Sequence, residues 1–115
     1  MRNFQHKGLA TGGWQKLTLL QQLANIGSEV SRTHRWQKKD HKLFEGAMER
    51  ALELFDLTLE DPRWKEKGSL REIARVRELF LYASLGEEKN YNTSFEDLDN
   101  YFNQFAFAAR RGSMI

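Results

Sequence analysis

The sequence predicts an all-α protein, an up-and-down four-helix bundle with a flexible N-terminal arm. Four segments carry apolar residues at spacings of three and four, which is the period of an amphipathic helix. A residue that favours the start of a helix precedes each segment. The 115 residues include one proline and eight glycines, fewer turn residues than a domain of many short strands requires.

We expect one domain, because a chain of this length builds one hydrophobic core. The bundle is predicted to cover residues 14–111, between an arm at residues 1–13 and a tail at residues 112–115. The arm ends in Thr11-Gly12-Gly13 and shows no periodicity. The connections between segments are short, so consecutive helices should lie antiparallel as neighbours.

The first predicted helix starts with a capping box. Thr18 and Gln21 each satisfy a backbone donor that the first turn leaves unpaired. Gly27 lies on the apolar seam although glycine costs about 1 kcal/mol against alanine in a helix, which predicts that a neighbouring helix approaches closely there. The seam consists of Leu20, Leu23, Gly27 and Val30, and His34 continues it.

The second predicted helix carries the widest apolar face. Asp40 can cap its start. Asp61-Pro62 ends it, because proline disfavours helical geometry in the residue before it. The apolar face consists of Phe44, Met48, Ala51, Phe55 and Thr58, widened by Leu43, Ala47, Leu52 and Leu59.

Two further capping boxes introduce the last two helices. Ser69 with Glu72 starts the third helix, and Gly86 offers a left-handed end. Thr93 with Glu96 starts the fourth, which ends before Gly112. The apolar stripes are Ile73, Val76, Phe80 and Ala83 in the third helix, and Phe95, Leu98, Phe102, Phe105 and Ala109 in the fourth.

The composition excludes several classes of protein. Eighteen Lys and Arg against sixteen Asp and Glu leave a formal charge of +2, far below that of a dedicated nucleic-acid binder, so any charge argument has to be local. The absence of cysteine excludes disulfides, thiolate metal sites and cysteine nucleophiles. No segment has the length of a membrane span or the apolar core of a signal peptide, which favours a cytoplasmic protein without a membrane partner.

Three stretches carry a family resemblance. Residues 23–30 (LANIGSEV), 49–54 (ERALEL) and 61–64 (DPRW) resemble a small, uncharacterised family of bacterial helical-bundle proteins. The resemblance covers residues 14–111 and implies the fold, with no activity, cofactor or functional residue. More loosely, the architecture is similar to four-helix accessory proteins that bind RNA beside reverse transcriptases, which implies RNA as a partner.

The three histidines, His6, His34 and His41, do not form a metal-binding pattern. No Glu-x-x-His of a di-iron bundle occurs. His41 and Glu45 are one turn apart and could form one edge of a metal site, but a solvated helix start explains them as well. His34 is either a functional imidazole or a residue that packs at the bundle end with a hydrogen bond. We predict no metal and no cofactor, since nucleotide-binding loops are also absent.

Arg35 and His41 give the sharpest enzymatic hypothesis. Their spacing resembles the Arg-x4-6-His pattern of the HEPN class of helical ribonucleases. This resemblance implies that His41 moves the proton of an RNA 2′-hydroxyl and that Arg35 stabilises the phosphorane. The pair straddles the turn between the first two predicted helices, however, whereas that class places its motif near a helix in the dimer cleft. So short a pattern often matches by chance.

Carboxylates on the second predicted helix suggest an ion pair. Glu49, Glu53 and Asp56 share one face by their spacings of four and three. Asp56 lies beside apolar positions, where a carboxylate needs a partner. An arginine of the next helix, Arg71 or Arg75, is the expected partner, and an acid and base pair is the alternative.

The most concrete candidate site is one end of the bundle, which we call the basic end. It combines the start of the first helix, the turn between the second and third, and the end of the fourth. Cations for phosphates and indole faces for unpaired bases are what an RNA-binding surface needs. The alternative is that the cations only solvate helix ends and the tryptophans close the core. The candidate nucleic-acid-binding residues are Trp14, Lys16, Arg63, Trp64, Lys65, Lys67, Arg71, Arg110 and Arg111.

The opposite end also carries cations, but acidic residues accompany them. Its basic and aromatic residues are Arg32, Arg35, Trp36, Lys38, Lys39 and Lys42, and its acidic residues are Glu87, Glu88, Glu96 and Asp97.

Phe107 lies off the apolar stripe of the last helix, so it either faces a partner chain or rests against the arm or the first helix. We therefore expect a non-enzymatic interaction module, with RNA binding as its most concrete task and homo-oligomer formation as a further expectation. The alternatives are the HEPN-like ribonuclease and a purely structural, self-associating bundle.

Overall fold

The computed structural model describes residues 12–86 and 94–111, and these are helical without any strand. A 3-10 helix at Trp14–Lys16 precedes five α-helices. They are α1 (Leu19–Trp36), α2 (His41–Leu59), α3 (Pro62–Glu66), α4 (Leu70–Ser84) and α5 (Phe95–Arg110). The predicted all-α fold is confirmed, since the four long helices match the four expected ones. The expected arm lies outside the described residues except for Gly12 and Gly13, and so does the expected tail.

The four long helices form a closed ring of neighbours, which is the arrangement of an up-and-down bundle. α1 packs mainly against α2 and α5, and α4 packs against α2 and α5. Gly27 lies against Phe102, and His34, in the last turn of α1, contacts Phe95 at the start of α5. These contacts show that α1 and α5 run antiparallel. The end of α5 therefore lies beside the start of α1, as the basic end requires.

Aromatic rings join three of the helices in the core. The ring of Phe55 on α2 lies 5.8 Å from that of Phe80 on α4 and 6.2 Å from that of Phe102 on α5. Phe80 in turn lies 6.1 Å from Phe95, edge to face. Such offset and edge-to-face contacts are favourable beyond the area that they bury.

Most of the predicted helix boundaries are confirmed. Thr18 and Gln21 form the expected capping box, and Asp40 accepts a hydrogen bond from the backbone N–H of Leu43 at 3.0 Å. Gly86 adopts a φ of 75°, the left-handed geometry that glycine tolerates best. The predicted end at Gly112 lies outside the described part of the chain.

Two of the predicted caps are wrong. Ser69 precedes α4 but its side chain makes no capping hydrogen bond, because its backbone (φ −103°, ψ 2°) is not extended as a capping residue must be. The capping box of α5 is formed by Ser94 and Asp97, one residue after the predicted pair of Thr93 and Glu96. Thr93 itself lies outside the described residues.

Not every predicted core residue is buried. Leu43 is 46% exposed in the first turn of α2. Phe105 and Ala109 are only half-buried near the end of α5. No helix in the described ranges is both long enough and apolar enough to cross a membrane.

Candidate nucleic-acid interface

The chain between α2 and α4 is anchored by a network of hydrogen bonds that underlies the basic end. Asp61 caps α3 by accepting a hydrogen bond from the backbone N–H of Arg63 at 3.0 Å, and Pro62 occupies the first helical position, where no N–H is needed. The Arg63 guanidinium folds back on the same carboxylate, with Nη2 2.6 Å from Oδ2. Its Nη2 also donates to the carbonyl oxygen of Leu17 at 2.8 Å. α3 is therefore tied to the segment that leads into α1.

Gln22 joins the elements of this end through one buried amide group. Its Nε2 donates to Asp61 Oδ2 at 2.8 Å and to the carbonyl oxygen of Trp14 at 2.9 Å. Its Oε1 accepts from the indole N–H of Trp64 at 2.8 Å. Since Gln22 is fully buried, each of these bonds lies away from water, where an unmade bond would be costly.

The two tryptophans are not available to stack on bases, contrary to the expectation for Trp14 and Trp64. Trp14 is 1% exposed and Trp64 is 4% exposed. Trp14 donates its indole N–H to the Thr58 hydroxyl at 2.9 Å, as Trp64 does to Gln22. The physical reason is that α1 and α2 supply buried acceptors, so both rings can close the end of the core with their polar atoms satisfied.

Asp61 stays ionised in this network. Burial by itself raises the pKa of Asp61, but hydrogen bonds from Arg63 and Gln22 outweigh burial and hold that pKa below its ordinary value. The hydrogen bond to Asp61 likewise raises the pKa of Arg63. Arg63 is thus committed to a structural ion pair, which leaves it less free to contact a phosphate.

The remaining six cations of the basic end are exposed to solvent. They come from the 3-10 helix, from α3 and the turn after it, from the start of α4 and from the end of α5. These cations are Lys16, Lys65, Lys67, Arg71, Arg110 and Arg111. Within the part of the chain that the structure describes, the first five of them form no ion pair. The guanidinium of Arg111 lies 5.4 Å from the centre of the Phe107 ring.

Acidic groups are interspersed with these cations. Glu60, Glu66 and Glu72 are exposed at the same end. Glu72 is partly engaged, because it accepts a hydrogen bond from the Tyr101 hydroxyl at 2.8 Å. Burial and this contact raise the pKa of Tyr101, so the phenol remains a donor.

Asp56 pairs with an arginine of α4, as expected, and the arginine at hydrogen-bond distance is Arg77, which the sequence did not single out. Arg77 Nε lies 3.0 Å from Asp56 Oδ1. Arg71 and Arg75 were the expected partners, and both are exposed on α4. Arg77 is half-buried on α4 and reaches across to α2 through this contact.

At the opposite end, the structure separates the roles of Arg35 and His41. His41 is the first residue of α2, and its Nε2 lies 2.8 Å from Glu45 Oε1, with the imidazole 80% exposed. Arg35 lies in the last turn of α1 and lines a cleft whose walls do not include His41. No contact joins Arg35 to His41 among the described residues, so the ribonuclease hypothesis remains a prediction without geometric support.

The described residues also contain no group of three His, Asp or Glu side chains that could hold a metal ion.

Sequence reasoning missed the central role of Gln22 and Asp61. A signal for Asp61 was present, because Asp followed by Pro is the pattern of a capping residue and a first helical position. For Gln22 there was none, since its partner Asp61 is 39 positions away.

The fold and this surface define an all-α bundle that presents at one end several cations with no ion-pair partner in residues 12–86 and 94–111. Comparison with models of known protein families, with curated protein sequences and with solved structures finds no match.

Proposed function

We propose that the protein is a non-enzymatic helical interaction module that binds RNA through its basic end. The observation that carries the proposal is the set of five exposed cations without a carboxylate partner in the described ranges, Lys16, Lys65, Lys67, Arg71 and Arg110. Cations that are free of carboxylates can approach phosphates without first breaking an ion pair.

The hydrogen-bond network beneath these cations supports the same proposal. Lys65 and Lys67 flank the end of α3, whose start is fixed by the buried network of Asp61, Gln22 and Trp64. A short helix held in this way fixes the backbone positions from which the two lysines extend. Less conformational entropy is then lost on binding than with a mobile loop.

The burial of both tryptophans sets the mode of binding. Without an exposed indole, the surface lacks a platform for unpaired bases. The proposed contacts therefore go to phosphates and sugars, which position a protein on RNA but do not read its sequence. We expect structured RNA to bind with little preference for sequence.

A pair of charge-matched variants tests this proposal. Lys65→Gln/Lys67→Gln removes two cations of the basic end, and Lys42→Gln/Arg75→Gln removes two exposed cations elsewhere. Binding of a fluorescent RNA hairpin should weaken about tenfold in the first variant and hardly at all in the second. Equal losses in both variants, or no binding by the wild type, would overturn the proposal.

Self-association is a second candidate function, favoured by Phe107. This ring is 55% exposed on α5, next to the basic residues at the helix end. A large exposed aromatic residue with an adjacent arginine is typical of the centre of an interface.

A further inference from the structure

A cleft lies at the end of the bundle opposite the basic end. It has a volume of about 600 Å³, within the usual range of small-molecule sites. One wall is the last turn of α1 and the turn after it, and the other wall is the first turn of α5. The charged and aromatic residues that line it are His34, Arg35, Lys38, Lys39, Phe95 and Glu96.

His34 is held in a fixed orientation in this cleft. Its Nδ1 lies 2.9 Å from Asp99 Oδ2, and its ring stacks on the buried Phe95 with centroids 5.0 Å apart and planes 6° from parallel. A carboxylate partner makes Nδ1 the protonated nitrogen. Nε2 is then the ring nitrogen that remains for a ligand, and it has no partner in the part of the chain that the structure describes.

The turn that carries two of the cations is also held in place. Gln37 donates its side-chain amide to the carbonyl oxygens of Ala83 and Ser84 at 3.0 and 3.1 Å. These carbonyls belong to the last turn of α4, where carbonyl groups lack the full set of intrahelical donors, and that of Ala83 also accepts from the backbone N–H of Gly86 at 3.2 Å. Lys38 and Lys39 therefore extend from a turn that is anchored to the bundle.

The charge of the cleft matches a doubly negative ligand. Arg35, Lys38 and Lys39 form no ion pair among the described residues, and Glu96 is the one carboxylate in the described lining. The lining that the structure describes therefore carries a surplus of two positive charges. A phosphate monoester carries about −1.5 to −2 at neutral pH, and arginine binds its oxygens in a bidentate manner.

We propose that this cleft binds a phosphate monoester of mononucleotide size. Arg35, Lys38 and Lys39 contact the phosphate oxygens, and His34 contributes Nε2 and the free face of its ring. A free mononucleotide and the terminal phosphate of an RNA share this chemistry. The site is separate from the basic end and does not depend on the function proposed for that end.

Calorimetric titration with adenosine 5′-monophosphate, and with adenosine as a control, tests the proposal. The wild type should bind the monophosphate and not adenosine. Arg35→Gln/Lys38→Gln, which alters two exposed residues and preserves the fold, should weaken binding about tenfold or more. His34→Gln should also weaken it, whereas His41→Gln and Lys42→Gln, outside the cleft, should not. Thermal melts followed by circular dichroism check that each variant is folded.

A pair of hairpin RNAs with and without a 5′-phosphate distinguishes the two sources of the ligand. Tighter binding of the phosphorylated hairpin, lost in Arg35→Gln/Lys38→Gln, identifies an RNA terminus. If both hairpins bind equally well while the monophosphate binds, the ligand is a free nucleotide. Lys65→Gln/Lys67→Gln should leave monophosphate binding unchanged. A failure of the RNA-binding proposal for the basic end can therefore be distinguished from a failure of the cleft proposal. No binding of the monophosphate, equal binding of adenosine, or equal losses in Lys42→Gln would overturn the proposal.

Discussion

Gly27 of α1 lies directly against Phe102 of α5. A β-carbon built on Gly27 would come 2.6 Å from the β-carbon of Phe102, closer than non-bonded carbon atoms approach, and would make a tight contact of 3.1 Å with Cγ of its ring. Phe102 is 2% exposed and cannot move into solvent. The contact between the two helices therefore depends on the absence of a side chain at position 27.

Gly27→Ala should destabilise the protein by about 1–3 kcal/mol, because overlap with Phe102 forces α1 and α5 apart. Gly46→Ala is the matched control. A β-carbon at Gly46 meets only the flexible end of Arg50 at 3.4 Å, so the higher helix propensity of alanine should stabilise by up to about 1 kcal/mol. Urea unfolding measures both, and a stabilising Gly27→Ala would contradict the packing of these helices.

Gln22→Met should destabilise the protein by about 2–4 kcal/mol. The substitution keeps the volume of the side chain but leaves the Trp64 indole N–H and one bond to Asp61 unmade in a buried place. Gln15→Met, at an exposed position of the 3-10 helix, should change the free energy of unfolding by less than about 0.5 kcal/mol. Near-equal effects in the two variants would argue against the buried network.

Asp61 should make stability depend on pH in the acidic range. Its pKa is lowered in the folded protein from an ordinary value of 3.8. Its stabilisation is therefore complete above that value and is lost as the pH falls through the folded pKa. We expect Asp61→Asn to cost about 2–3 kcal/mol at pH 7, less than for a fully buried pair because Arg63 reaches solvent.

The difference between wild type and Asp61→Asn should narrow at pH 3, as measured by urea unfolding at both pH values. Asp40→Asn, which replaces one capping residue by another at an exposed position, serves as the control and should have a smaller effect. A difference that is the same at both pH values would show that the Asp61 charge does not stabilise the fold.

Phe107→Ser should weaken self-association if α5 forms the contact between copies. We expect the wild type to gain apparent mass with concentration in light scattering and the variant to remain smaller. Leu43→Ser, at a 46% exposed position near the other end, should associate like the wild type. A wild type that is monomeric at every concentration would exclude this function for Phe107.

The fold could be predicted from sequence because its signals are local. The capping residues Thr18 and Asp40 act within three residues of the chain, and the apolar period is visible in each helix alone. The cap at Ser69 failed because its backbone geometry is set by the preceding turn rather than by its own side chain. Helix α3 was missed because its five residues are too few to show a period.

The candidate site could be predicted only in part. Lys65 and Lys67 were expected to be exposed, since charged residues at helix ends usually are. The burial of Trp14 and Trp64 was the stated alternative, but the sequence could not decide for it, because it depends on acceptors at Thr58 and Gln22 that are more than 40 positions away. Residues at such separations come together only once the whole topology is known.

The salt dependence of RNA binding tests the central claim most directly. The affinity of the wild type for a structured RNA should fall linearly with salt on logarithmic scales, because phosphate contacts release counterions. In Lys65→Gln/Lys67→Gln the slope should be smaller by about two, one for each lost contact. A slope that is unchanged in this variant, or an affinity that does not respond to salt, would contradict the assignment of RNA binding to the basic end.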